Sequence, residues 1–492
     1  MSKSVCVIGA GIGGLTAGAY LANKGYTVTV LEKATTVGGS AGWYVRKGRM
    51  FPTGATIAFG LEPGGLLREL LNEVGAEIQA DELRHPMDVI LPDQKVSIYK
   101  NTKDWENELK LAFPSKSADV LRFWRDLHQL GQDVLAVTNC KVSLPIQKFY
   151  DLGELPKYAI KHPKSIARLA RYARWTVQDF LKKYDLQNYE PLCQLLNAQL
   201  LDAVQIDITE ASLLPSSLAL TIYRNGSFFV HGGMGQLCRV FAERIEEQGG
   251  KVVLASLVKG LDYDKESGKW TVESRKGTSA FDIVINNSGV SFGHHTSYAD
   301  SKELSWGAFR VDAVLSERVR RDILNGRNLP FAYQIVPNLE CYQLSKVTHG
   351  PVYVTFQDSI DVNGDCVNDE VIMTISVHTD YNNWLSLTKK EYKNMKNQLK
   401  NELIQEANRV IPIKEEILFE EAGTPLTYKK FIGKAGVGGF PLTVASAIMK
   451  PKSVRSSLPH FYIVGEQVFP GPGTLSSALS GYYAARAIMK GK

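Results

Sequence analysis

The sequence predicts an α/β fold in which a domain built on a parallel sheet is discontinuous in the chain and a second, α+β domain is assembled from two insertions. Three observations carry this. A strand–glycine loop–helix–strand unit opens the chain, and a strand, a Gly/Pro loop and a helix close it. Between them, strand and helix patterns alternate over 492 residues, more than one core usually holds.

Ser4 to Ile8 is a short apolar run, followed by Gly9-Ala10-Gly11-Ile12-Gly13-Gly14. A helix is predicted to about Lys24, with Ile12, Leu15, Ala19 and Ala22 on one face and Gly25 placed to end it. Tyr26 to Leu31 reads as a second strand ending at Glu32. Gly9 permits the tight turn, Gly11 lets the backbone approach a pyrophosphate, and Gly14 lets helix and strand pack closely. Free N–H groups at the helix start, those of Ile12 and Gly13 among them, favour phosphate charge. Glu32, eighteen residues beyond Gly14, can accept bonds from ribose hydroxyls and would repel a 2′-phosphate. The unit reads as a Rossmann-like dinucleotide site, against a Rossmann-like unit without a ligand.

At the other end, Phe461 to Val464 reads as a buried strand leading to Gly465-Glu466, then the loop Pro470-Gly471-Pro472-Gly473-Thr474 and a helix from about Leu475. Leu475, Ala478, Tyr482, Ala485 and Met489 recur at helical spacing and are expected to face the core. Gly465, Glu466, Thr474 and Leu475 thus form a second anion-receiving end. One ligand spanning both motifs requires the termini to fold together.

In the middle, Gly232 to Gly235 precede a helix from Gln236 to Glu247. Lys251 to Leu257 reads as a strand, Leu261–Tyr263 and Trp270–Glu273 as a hairpin, and Phe281–Asn286 as a buried strand. The nucleotide domain is therefore expected over 1–75, 226–297 and 455–492. The insertions 76–225 (helix-rich, as in 118–135 and 176–184) and 298–454 (strands near 352–356 and 370–378, a helix near 390–410) form the substrate side.

Bulk composition narrows the class. With 44% hydrophobic and 22% charged residues and a formal charge of +6, the chain is globular, without the dense basic stripe of a nucleic-acid binder. The six cysteines form no CxxC pair, which points to a reducing compartment rather than a disulfide scaffold or zinc site. No run of roughly 18 apolar residues occurs, and the glycine-broken N-terminus is a poor signal peptide. A cytoplasmic location is expected, with the inner face of a membrane as the second placement.

Four local features bear on ligands. Leu155 to Trp175 holds Lys157, Lys161, Lys164, Arg168, Arg171 and Arg174 and no acid. Past Pro163 the basic residues share one helical face, and Ile166, Leu169, Ala170 and Ala173 another. Such a helix is either solvated or, through 157–175, in contact with an anionic membrane. Asp361-Val362-Asn363-Gly364-Asp365 begins like a calcium loop, but Cys366 and Ile372 stand at its glycine and glutamate positions, so a hairpin turn at Asn363-Gly364 is expected. His294-His295 diverge and lack a third ligand, so no metal site is expected. His231 reads as a packed loop histidine, with an approach to the cofactor as the minority reading.

Val37-Gly38-Gly39-Ser40, a glycine doublet after the second strand, resembles the second fingerprint of the FAD oxidoreductase superfamily that includes amine oxidases and phytoene desaturases. Three segments look like its phytoene desaturase and carotenoid isomerase branch, which also resembles retinol saturases. They are Gly9 to Gly39, Gly423-Thr424-Pro425-Leu426-Thr427-Tyr428 with its trailing Gly433 to Gly439, and Gly465 to Gly481. Their order and spacing match over nearly the whole chain, and the Thr424-Pro425 segment is the most specific to the branch. Ser40 stands where an arginine is usual and Glu466 where an aspartate is. Phe51-Pro52-Thr53-Gly54-Ala55-Thr56 matches a flavin-facing segment at Phe51, Gly54 and Thr56 but departs at Pro52 and Ala55. The resemblance implies a Rossmann-like FAD-binding domain. Thr56 would lie against the flavin, the backbone at Val258 against the adenine, and Gly39 and Ser40 near the pyrophosphate or flavin. It implies an FAD-dependent desaturase, oxygenase or isomerase acting on an apolar conjugated polyene, carotenoid or retinoid in type. An amine oxidase of the same superfamily and a non-catalytic, flavin-binding, membrane-associated protein are the alternatives.

Overall fold

A parallel strand covered on both faces reads as a continuous apolar run, and Ser4–Ile8 does. In the computed structural model, which describes residues 2–292, 306–319, 330–337, 348–361, 365–433 and 436–491, this strand is the centre of a five-stranded parallel sheet. The order is Phe461–Ile463, Ile283–Asn286, Ser4–Ile8, Thr27–Leu31 and Lys251–Val253. Strands from three separated segments of the chain therefore share one sheet.

Ile12–Ala22 forms the first helix, and every one of its residues is buried. The single apolar face expected of it is too narrow: the helices Gly235–Glu247 and Thr474–Lys490 flank it, so it has no solvent side. The C-terminal helix is likewise buried over a broader face than one stripe. Ala478 and Ala485 are buried in the core and Leu475, Tyr482 and Met489 pack against it half-buried, as expected; Tyr483, Ala484 and Ile488 are buried as well, so the buried face is wider than the stripe. Tyr482 meets the core residue Tyr20 edge to face at 5.2 Å.

Two expected strands are shorter than read. The run from Lys251 leaves the sheet after Val253 because Ala255 and Ser256 donate N–H bonds to Ala34 O (2.8 Å) and Glu32 O (2.7 Å). A new strand, Val258–Asp264, then begins an antiparallel three-stranded sheet with Lys269–Ser274 and Gly277–Phe281. Phe281 belongs to that sheet and Ile283–Asn286 to the parallel one. Between them Asp282 accepts from the Ser4 N–H (2.7 Å) and hydroxyl (2.8 Å), pinning the crossover.

A seven-stranded sheet draws on both insertions, in the order Ile417–Gly423, Trp306–Ser316, Cys366–Asp380, Thr348–Ile360, Ala332–Ile335, Met87–Ile90 and Lys95–Ile98. Alternation sorts its faces. Phe309, Val311, Ile375 and Val377 pack with Leu399, Leu403 and Ala407 of the helix Lys389–Val410. Arg310, Asp312, Thr374 and Ser376 point the other way, into a cavity.

Cys6, Cys140, Cys193 and Cys238 are buried free thiols and Cys366 is exposed. Cys341, His294-His295 and the Asn363-Gly364 turn lie outside the described residues. Around that turn, Asp361 N–H donates to Asp365 O at 2.9 Å. Among the described residues no His/Cys/Asp/Glu group could hold a metal, and no helix is long and apolar enough to cross a membrane.

Candidate functional site

Four strands of the parallel sheet end on the same edge, at Gly9, Glu32, Asn287 and Val464, where open α/β sheets bind ligands. That edge opens into a cavity of about 1570 Å³. Small-molecule pockets usually measure about 300–1,000 Å³, so there is room for a dinucleotide and a second molecule.

Two helices aim uncapped N-termini at this space. Ile12–Ala22 is capped by Gly11 and Thr474–Lys490 by Gly473, neither with a side-chain cap bond nor an acid in its first turn. Their first N–H groups are thus available to an anion. Glycine is required at the contact between them. A Cβ on Gly13 would fall 2.8 Å from Ser477 O, and one on Gly11 2.7 Å from Asn287 Nδ2.

Most residues singled out in the sequence come together here. Gly9, Gly11, Ile12, Gly13, Glu32, Gly39, Ser40, Thr56, Val258, Glu466, Thr474 and Leu475 all line the cavity. Gly14 and Gly465 do not. A Cβ on Gly14 would meet Gly9 O at 2.6 Å, and Gly465 donates its N–H to Ser480 Oγ at 2.8 Å; both hold the loop from behind. Glu32 accepts from the N–H of Ala10 (2.6 Å) and of Ala34 (2.7 Å), so besides facing a ligand it ties the glycine loop to the end of the second strand. The glycine doublet is pinned to the same loop by Gly38 N–H to Ala10 O (2.8 Å). Ser40 Oγ is enclosed without a protein partner.

Several residues that shape the site were not read from the sequence. Asn287 donates to Gly9 O at 3.1 Å; its place just past an apolar strand of the parallel sheet was the available signal. Tyr428, in the helix Pro425–Phe431, donates to Thr53 O at 2.9 Å, and Thr53 donates to Gly39 O at 2.6 Å. The Thr424-Pro425 segment thereby clamps the flavin-facing loop predicted around Thr56. Across the cavity, Arg310 and Asp312 form a bidentate ion pair with bonds of 2.7–3.0 Å, joined by Thr374 (2.9 Å) and Tyr44 (2.8 Å). Burial disfavours the guanidinium, yet Asp312 outweighs it and holds Arg310 above its usual range. Burial, then Asp312, pushes the Tyr44 phenol up.

The other wall is apolar: Val134, Val137, Ile166, Leu169, Leu218 and Ile222. The apolar stripe of the basic segment, Ile166, Leu169, Ala170 and Ala173, therefore faces the cavity. Part of its charge is neutralised, Arg168 by Asp133 (2.5 Å) and Lys157 by Glu154 (2.7 Å). His231 does not approach the site: it pairs with Asp81 at 2.8 Å on an exposed face, because the strand Phe228–Val230 leads away along the first insertion.

The comparisons agree with this geometry. Residues 7–74 match the family of NAD(P)-binding Rossmann-like domains. A chloroplastic prolycopene isomerase of Arabidopsis thaliana is 24% identical over 98% of this chain and 82% of its own. A 4,4'-diapophytoene desaturase of Staphylococcus haemolyticus is 22% identical over 99% of this chain and 98% of its own. The chain is thus similar over nearly its whole length to proteins of the phytoene desaturase and carotenoid isomerase branch. Its fold is also that of the cyclohexylamine oxidase of Brevibacterium oxydans, at a TM-score of 0.59 and 15% identity over 100% of this chain and 99% of that one. The match to a Rossmann-like domain assigns the glycine-lined half of the cavity to a flavin or nicotinamide dinucleotide.

Proposed function

We propose that the chain binds FAD non-covalently and carries out desaturation, oxidation or flavin-assisted isomerisation of an apolar conjugated polyene, carotenoid or retinoid in type. One observation carries the reading: a single cavity joins two dinucleotide-ready helix starts to a long apolar wall. The helix starts at Ile12 and Thr474 would receive the pyrophosphate and the ring end, Glu32 the ribose, Val258 the adenine, and Thr56 and Ser40 the flavin edge. Bound FAD would supply two-electron exchange with a C–C unit. The protein's own part is to orient the polyene along Val134, Ile166 and Leu218 and to exclude water.

Anaerobic mixing tests this. Bleaching of the flavin by a polyene supports desaturation or oxidation, bleaching by a primary or secondary amine instead assigns the chain to amine oxidation, and no bleaching by either favours isomerisation or lost activity. Replacing Glu32 with alanine orphans the Ala10 and Ala34 N–H groups, each costing about 1–3 kcal/mol. Flavin titration of the apoprotein is expected to show at least a tenfold weaker Kd, equivalent to about 1.4 kcal/mol.

An apolar substrate is best delivered from a membrane. Phe149 (84%) and Ile160 (83%) are exposed, as are Lys161, Lys164 and Arg174 of the basic segment whose Ile166 and Leu169 line the cavity. Such a combination suits insertion into an anionic surface. Co-sedimentation with vesicles should rise with phosphatidylglycerol content and fall in Phe149→Asp/Ile160→Asp; sedimentation indifferent to both would remove the contact.

A further inference from the structure

The cavity holds one carboxylate that the cofactor-binding scheme does not use. Asp202 sits at the end of the helix Glu190–Ala203, lines the cavity with its side chain open to it, and is encircled by protein. The other lining carboxylates are engaged. Glu32 takes the Ala10 and Ala34 N–H groups, Asp312 pairs with Arg310, Glu421 pairs with Arg46 (2.8 Å), and Glu466 has an interaction of its own. The Asp202 carboxylate has no hydrogen-bond or ion-pair partner among the described residues. An unpaired carboxylate facing an apolar chamber is costly unless it is used.

Its neighbours reach toward the residues assigned above to the ring end and flavin edge. Asp202 O accepts from Gln205 Nε2 at 2.8 Å. The Gln205 side chain packs on Gly438, where an added Cβ would fall within 2.5 Å of it, and the next residue, Gly439, packs equally closely on Glu466 O. On the other side stands Tyr223, edge to face with Phe59 at 5.3 Å, three residues beyond Thr56. The titratable groups facing Asp202 are Tyr223 and Tyr353, both driven up by burial and then by this carboxylate; Arg224 lies behind Tyr223, lowered by burial to about 9. Burial raises the Asp202 carboxyl to about 6. General acid–base groups work best with a pKa near the working pH.

We infer, resting on the polyene reading above, that Asp202 is a catalytic proton-exchanging residue, acting on the carbon next to the one that exchanges hydride with the cofactor. In the oxidative direction one C–H bond departs as hydride, carrying both electrons to the oxidised flavin. The neighbouring C–H bond gives its proton to the Asp202 carboxylate, and its electron pair becomes the new C=C π bond. The chain loses two hydrogens and two electrons, and Asp202 becomes the neutral acid. Reduction reverses each step. Carbon next to a polyenyl cation is acidic, so a weak base suffices.

The test is Asp202→Asn in the flavin-loaded protein, with Asp202→Glu beside it. In Asp202→Asn the rate of flavin bleaching by polyene should fall by about 10²–10⁴-fold, with polyene affinity within threefold of wild type and the limb of the pH–rate profile near pH 6 removed; Asp202→Glu should retain the limb. Two readouts need no turnover. An infrared carboxylic-acid band titrating near pH 6 should vanish in Asp202→Asn. Because the folded carboxyl lies above its unfolded value, ionisation costs stability once the pH exceeds the unfolded range. Asp202→Asn should therefore melt higher than wild type at pH 8 and lose that advantage below about pH 4. Wild-type bleaching and an intact limb in Asp202→Asn would overturn the assignment alone. A wild type whose flavin is neither bleached by polyene nor able to isomerise it would overturn the functional reading with it. Bleaching by an amine whose affinity drops in Asp202→Asn would make the residue an ammonium anchor instead.

Discussion

Gly481→Val is expected to yield a chain that no longer retains its cofactor. The C-terminal helix crosses the first helix at Gly481, where an added Cβ would fall 2.1 Å from Gly13 O and 3.0 Å from Ala17 N. Both obstacles are backbone, so no rotamer change relieves them, and the helices must part. Overpacking of a side chain usually costs about 1–3 kcal/mol. Here it also displaces Gly13, whose N–H belongs to the uncapped helix start that faces the cavity. Visible flavin absorbance per chain should fall to background and Tm should drop by several degrees, with Gly481→Ala intermediate. Gly260→Ala is the control, since its Cβ would find only ordinary contacts with Glu273 at 3.6 Å or more. A Gly481→Val protein as yellow and as heat-stable as wild type would mean that the helix crossing does not position the nucleotide loop.

Residues that act through their own local geometry were the legible part. The glycines after Ile8, Glu32 at the end of the second strand, and the Gly/Pro loop before Thr474 each announce a turn, an acid or a helix start within a few positions, and the structure gathers them at one sheet edge. Helix faces were less legible. Ile12–Ala22 is buried on every side by partners more than two hundred residues away, which a periodicity argument cannot see. The run after Lys251 looked like one strand because Leu254 to Leu257 are mostly apolar; hydrogen bonds from Ala255 and Ser256 to Ala34 and Glu32, at the end of the second strand, decided otherwise. The second wall was the least legible. Arg310 and Asp312 flank Val311 in a run that otherwise suits a buried strand, and this i, i+2 spacing put both charges on one face. What they face depends on a sheet joined from both insertions. Asp202 ends an ordinary apolar helix, and only the tertiary arrangement leaves it without a partner.

That buried pair makes the second large prediction. Arg310 and Asp312 are 3% and 4% exposed and stand on the cavity face of the seven-stranded sheet. Asp312→Ala removes the acceptor shared by the guanidinium, Thr374 and Tyr44, leaving a positive charge in an enclosed wall. Breaking a buried pair in this way costs about 3–5 kcal/mol, and the urea midpoint should fall accordingly. Arg310→Met combined with Asp312→Leu removes both charges, so the double variant should recover most of the loss; the remainder is the Thr374 and Tyr44 hydroxyls, at about 1–3 kcal/mol for each one left unsatisfied. The pattern bears on function because the cavity can stay apolar only if Arg310, the buried cation of its described lining, is neutralised within the wall. In Asp312→Ala the bare guanidinium would seek a new anion, and Asp202 is the unpaired carboxylate facing the same space. The infrared acid band of Asp202 should then move to lower pH in Asp312→Ala and return in the double variant. If the band stays in place while the midpoint falls, the two charges do not share one chamber, and the wall and the proton site are independent.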